Sequence, residues 1–182
     1  MKSKCNNAHE KAINITNDVY NVFNNVVKYH PQTKDELKLL IQNHIDKYGY
    51  SCNLNDIDVS AITDMSELFY KSYFNGDISK WDVSNVKNMF GMFGNSIFNG
   101  NISNWNVCNV TNMYGMFEYS KFNGNISHWD VSNVENMGFM FMESEFYGNI
   151  SKWNVSNVKN IIYMFTGSNI SDNYDNQPNF KY

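Results

Sequence analysis

The chain has 182 residues, a formal net charge of −4, 42% hydrophobic and 16% aromatic residues, and only 18% charged ones. That mixture is too apolar for intrinsic disorder, and no apolar run approaches the roughly 18–20 residues needed to cross a bilayer. All 14 basic residues are Lys, so the chain lacks the bidentate guanidinium that reads phosphate and guanine, which argues against nucleic acid as a partner.

The opening residues Met1–Asn7 have no apolar stretch behind them and read as neither a secretory nor a lipoprotein signal. The protein is therefore expected inside the cell or exported by a non-classical route. Cys5, Cys52 and Cys108 are odd in number and irregular in spacing, so they do not form a disulfide framework. Cys5 and His9 lack the second ligand pair of a zinc site.

Residues 1–52 read as an N-terminal helical cap. Over 8–29 the residues Ala12, Ile15, Val19, Val22, Phe23, Val26 and Val27 share one helical face, and His30-Pro31 ends that helix. Thr33-x-x-Glu36 is a capping box that opens a second helix. Its face is Leu37, Leu40, Ile41, His44, Ile45 and Tyr48, and Gly49 stops it. His44 on that face reads as a satisfied, half-buried histidine.

Residues 53–170 carry the repeat. Trp81, Trp105, Trp129 and Trp153 recur every 24 residues, and Ile57 holds the same column one period earlier. Four full units follow, 57–80, 81–104, 105–128 and 129–152, and a fifth decays after Phe165. A fixed period in the twenties marks a solenoid. A lone unit has about eight apolar columns worth roughly 1.5–3 kcal/mol each. Ordering it costs on the order of 1.5 kcal/mol per residue, so units need neighbours.

Within a unit, Ile102-x-x-Trp105-x-Val107 predicts a short strand, and Val110, Met113, Met116 and Phe117 follow at helical spacing. The expected fold is a leucine-rich-repeat-like solenoid of about four and a half turns. Each turn is a parallel strand plus a short helical segment, behind a two-helix cap. Asn123-Gly124 is expected to turn the chain through a positive φ at the glycine. Met65, Met89, Met113 and Met137 read as core filler. Ile170 and Asp172 replace the unit's second Phe and its Gly. Residues 171–182 are polar and read as a frayed C-terminal tail.

Trp and Val should point inward and the residues between them outward. One outer column is Asp58, Asp82, Asn106, Asp130 and Asn154. It is flanked by Lys80, Asn104, His128 and Lys152 on one side, and by Ser60, Ser84, Cys108, Ser132 and Ser156 on the other. These are the candidate binding residues; the alternative is that the column only solvates the surface and bonds between turns. The column mixes Asp with neutral Asn, which argues against a Ca²⁺ ladder. Asn85, Asn109, Asn133 and Asn157, with Asn88, Asn112, Asn136 and Asn160, read as structural ladders. The Asn-Ile-Ser sequons at Asn101, Asn125 and Asn149 read as accidents of the repeat. Cys108 and His128 fall on adjacent turns, at variable positions, and are not expected to form a nucleophile and base. No catalytic site, metal or cofactor is expected.

The repeat Trp-Asp-Val-Ser-Asn-Val-Lys-Asn-Met at 81–89, followed by Met92-Phe93 and Phe98-Asn99-Gly100-Asn101-Ile102-Ser103, closely resembles the BspA-like surface-protein repeats of the leucine-rich-repeat group. The likeness covers roughly residues 33–168. It implies a non-enzymatic protein-binding module whose partner is a protein, in known family cases a host protein; the repeated sheet places that contact on its exposed face. The alternative, from a different class, is a structural protein whose repeats pack with copies of themselves.

Overall fold

The computed structural model describes residues 29–180. The helix expected over 8–29 lies outside them except for Tyr29. Tyr29 donates its N–H to the Asp56 carbonyl (3.1 Å) and accepts from the Asp58 N–H (2.8 Å).

The second expected helix is α1, Lys34–Tyr48. Thr33 caps it in an extended conformation, its hydroxyl accepting from the Glu36 N–H at 3.2 Å. The Glu36 carboxylate reaches back to the Gln32 N–H at 2.7 Å. Asp35 and Glu36 in the first turn and Lys47 in the last complement the helix dipole. Gly49, at φ 83°, stops the helix and bonds Ile45. Leu37, Ile41, His44 and Ile45 are buried, but Tyr48, expected on the same face, is 59% exposed.

The parallel-strand solenoid with a two-helix cap is not what forms. Among the described residues there is one α-helix, a three-residue 3₁₀ turn at Tyr174–Asn176, and no named strand. Neighbouring units meet through isolated single-residue parallel bridges, Asp64 to Asn88, Asn88 to Asn112, Asn112 to Asn136 and Asn136 to Asn160. The segment expected to be helical is a series of overlapping turns instead. In the third unit the N–H groups of Met116, Glu118 and Ser120 bond the carbonyls of Met113, Gly115 and Phe117. Gly115 (φ 60°) and Tyr119 (φ 52°) are left-handed. A left-handed residue every fourth position rules out an α-helix, yet each i→i+3 turn still spaces apolar residues three apart.

These turns are stitched between units in one direction. Met65, Glu67, Phe69 and Lys71 donate their N–H groups to the carbonyls of Asn88, Phe90, Met92 and Gly94 at 2.8–2.9 Å. The same four bonds recur 24, 48 and 72 residues further on. Every donor row faces the following unit and every acceptor row faces the preceding one.

The expected inward residues are inward. Trp81, Trp105, Trp129 and Trp153 are buried, and each indole N–H bonds a carbonyl 27 residues earlier: Leu54, Ile78, Ile102 and Ile126, at 2.9–3.2 Å. This satisfies the one polar atom the indole brings into the core. Met65, Met89, Met113 and Met137 are fully buried. Two phenylalanine columns run beside them. Phe69, Phe93, Phe117, Phe141 and Phe165 stack at 5.5–6.1 Å. Phe74, Phe98, Phe122 and Phe146 stack at 6.2–6.4 Å.

Gly124 is not at a positive φ. Gly100, Gly124 and Gly148 are small for a different reason: an added Cβ would sit 2.7–2.8 Å from the ring of the Phe two residues earlier. At the C-terminal end, the expected fraying does not extend over residues 171–180. The Ile150 N–H bonds the Asn176 carbonyl (2.9 Å), the Gln177 amide bonds the Ile170 and Ser171 carbonyls (both 2.9 Å), and Phe180 packs on the core.

Candidate functional site

The outer polar column is built by local turn chemistry. An Asp or Asn side-chain oxygen accepts the N–H two residues on, closing an Asx turn. Ser60 donates to Asp58 (2.9 Å), Ser84 to Asp82 (3.0 Å), Cys108 to Asn106 (3.2 Å), Ser132 to Asp130 (3.0 Å) and Ser156 to Asn154 (3.2 Å). One oxygen of each residue is thus committed to its own turn. Asp82, Asn106, Asp130 and Asn154 are exposed and Asp58 is half-buried. The second Asp58 oxygen meets the His30 ring at 3.1 Å. Lys80, Asn104, His128 and Lys152 are all exposed, and the Lys80 N–H bonds the Asn55 side chain (2.9 Å).

The remaining asparagines act as ladders. The amides of Asn85, Asn109, Asn133 and Asn157 bond the carbonyls of Ser60, Ser84, Cys108 and Ser132 at 2.7–2.8 Å. The Asn88, Asn112 and Asn160 amides each bond the side-chain oxygen 24 residues earlier at 3.0 Å. The Cys108 thiol and the His128 imidazole share no hydrogen bond. His44 is buried, with ring contacts to the Leu40 carbonyl (2.8 Å) and Asp56 (3.3 Å).

The hydroxyl and N–H of Ser60 hold the Asp58 carboxyl below the usual range, and Ser132 does the same for Asp130. Burial pushes Asp64 and Asp77 upward, but hydrogen bonds from Lys34 and Ser66, and from Ser79 and Asn55, outweigh it and leave both lowered. Burial raises Glu118. For the four aspartates the folded value lies below the unfolded one of about 3.9. Their stabilisation is present above that value and is lost as pH falls through the folded values. Glu118 acts in the opposite sense. Thermal midpoints are therefore expected to hold from pH 7 to about 5 and to fall below about 4. Circular-dichroism melts check this, and an unchanged midpoint at pH 3 would refute it.

A second surface feature is aromatic. Phe90 and Tyr114 stack at 5.5 Å, Tyr114 meets Phe139 at 5.2 Å, and Phe139 meets Tyr163 at 5.3 Å. The run crosses four units on the outside: Phe90 is 37% and Tyr163 56% exposed, and Tyr114 and Phe139 are half-buried. Sequence reading misses it because the step from Tyr114 to Phe139 is 25 residues, so no single column is aromatic. The signal was present as rings at 90, 114, 139 and 163.

A family model described as "Mycoplasma protein of unknown function, DUF285" matches residues 41–143 and again 98–179. The chain belongs to this family. No curated protein and no solved structure matches it. The DUF285 match begins inside α1 and runs into the C-terminal segment, so the family pattern takes in part of the helix as well as the repeats.

Proposed function

We propose that this DUF285 chain is a non-enzymatic protein-binding module of the BspA-like type, and that its partner lies along the aromatic run Phe90–Tyr114–Phe139–Tyr163. The observation that carries this reading is the unbroken line of partly exposed rings along the surface. Contiguous aromatic surface is costly to leave in water. Rings already packed against one another lose little further freedom on binding and make good anchors. The likeness of the 24-residue repeat to the BspA-like repeats points the same way. The polar column is the weaker face, because each side chain spends an oxygen on its own turn. Packing of identical copies end to end is disfavoured by α1, which lies over the leading unit.

A photo-crosslinking amino acid placed at 114 or at 106 in otherwise unchanged protein, exposed to lysate of its host, tests the assignment. A protein adduct is expected at 114, abolished by Phe90→Lys with Tyr163→Lys. Adducts only at 106 would move the site to the polar column.

A further inference from the structure

Within the turn rows the stitching runs one way, although Lys87, Thr111, Glu135 and Lys159 donate back to the preceding unit outside them, so the turn row is chemically unlike at the two ends of the repeat. The donor row of each unit is filled by the carbonyl row of the next, until the last. Ile161, Tyr163, Phe165 and Gly167 are the fifth set of donors, and no described residue accepts from any of the four. Residues 171–180 cover the neighbouring part of this end through Asn176 and Phe180; Ser171, Gln177 and Phe180 line an open groove with Ile161, Tyr163 and Phe165 but accept no hydrogen bond from the row. The Glu143 carboxylate lies beside Gly167 and takes no hydrogen bond from it. Ile161 and Phe165 are half-buried there, so the row is fringed by apolar side chains.

Four aligned N–H groups with no acceptors form an unfilled template. What fills it at the four internal junctions is always the same object, the carbonyl row of another 24-residue unit. A second copy of this chain cannot supply that row. At its leading unit, Lys34 of α1 bonds the Asp64 carboxylate (2.8 Å) and the Ser66 carbonyl (3.4 Å). Lys38, Ile41 and Ile45 of α1 flank Leu68 and Tyr70, which carry two of the other three carbonyls of the row. Two trailing turn rows cannot fill each other either, since donors would face donors.

We infer that the trailing edge formed by the N–H groups of Ile161, Tyr163, Phe165 and Gly167 is a docking site for the carbonyl edge of a 24-residue unit of the same repeat type, carried by a polypeptide in which no helix covers that edge. Recognition is by main-chain complementarity, with the partner's Phe column continuing onto Phe165 as it does at every internal junction. The site adjoins the aromatic side face at Tyr163, whose ring belongs to that face and whose N–H belongs to this row; it uses main-chain groups and stands whether or not that face binds a protein.

The test uses the full ¹⁵N-labelled chain and, as probe, a synthetic peptide with the sequence of residues 105–128. In the protein alone, the amides of 161, 163, 165 and 167 are expected to exchange freely, while those of 113, 115, 117 and 119 are protected. With peptide in excess, exchange at the four trailing amides should slow by about tenfold or more, and a peptide with the same composition in scrambled order should leave it unchanged. Light scattering should show the protein alone as a concentration-independent monomer. Four trailing amides unchanged by peptide would overturn the inference, as would shifts confined to Phe90, Tyr114 and Phe139. Protection before peptide is added would also overturn it, by showing that residues 1–28 or a second copy already cover the row.

Discussion

Phe117→Ala is expected to destabilise the protein by about 3–5 kcal/mol, the usual cost of emptying a fully buried phenylalanine site. Phe117 is fully buried and contacts rings of its own column, of the second phenylalanine column and of the tryptophan column. It stacks on Phe93 and Phe141 at 5.7 Å along its own column, on Phe122 at 4.2 Å across columns, and approaches Trp129 at 6.4 Å. Neighbours on both sides are themselves held in stacks, so the cavity cannot close by collapse. Phe165→Ala removes the same atoms from the end of the column. There the ring is half-buried and has one stacking partner, Phe141 at 6.1 Å, and about 1–2 kcal/mol is expected from its smaller burial. Urea unfolding of the two variants measures the difference. If Phe165→Ala costs as much as Phe117→Ala, the stability does not come from the continuous stack.

That contrast depends on features the sequence displays openly. The 24-residue period puts Trp, Val, Met and Phe in columns, and all of those columns are inside. The capping box at Thr33 and Glu36 and the stop at Gly49 bound α1 where the helix actually begins and ends. What the sequence hides is the backbone route between the columns. Val110, Met113, Met116 and Phe117 satisfy a helical spacing, and successive i→i+3 turns satisfy it equally. The discriminating residues are the left-handed ones. In one such column Gly91 and Gly115 hint at a positive φ, but Glu67, Phe139 and Tyr163 occupy the same column at φ 52–59° and mask it. Non-glycine residues pay about 1 kcal/mol or more there, and at Glu67 and Phe139 the four bonds to the next unit hold them in place.

The polar column was equally legible as a position and illegible as a role. Alternation places Asp82, Asn106 and Asp130 outside whether they bind a partner or close a turn. Only the distances to Ser84, Cys108 and Ser132 show that an oxygen of each is already engaged. The aromatic face had the opposite problem. Its rings are conspicuous residues, but they come together by crossing from one column to the next, which a strict period averages away.

Gly76→Ala is expected to be the most damaging of the glycine substitutions, at about 3 kcal/mol or more, because overpacking and a lost main-chain hydrogen bond add. All four glycines of this column would place a Cβ 2.7–2.8 Å from a Phe ring, so the ring contact is common to them. Gly76 differs in its backbone neighbour: the added carbon would lie 1.9 Å from the Cys52 carbonyl oxygen, whereas at Gly124 the nearest such oxygen is 3.6 Å away. The Cys52 carbonyl accepts the Asp77 N–H (3.1 Å), the Asp77 carbonyl accepts from Leu54 (2.9 Å), and Asn75 donates to the Tyr50 carbonyl (2.9 Å). These bonds fasten residues 50–54, and α1 just before them, to the first unit. A side chain at 76 must break them or push the segment away, whereas at 124 the strain falls on one ring, and about 1–2 kcal/mol is expected from overpacking alone. Because α1 is the one α-helix among the described residues, Gly76→Ala should lose helical ellipticity at a lower temperature than it loses the near-ultraviolet signal of the stacked tryptophans. Coincident losses, or a cost equal to that of Gly124→Ala, would mean that the junction between α1 and the repeats is no more constrained than the junctions within them.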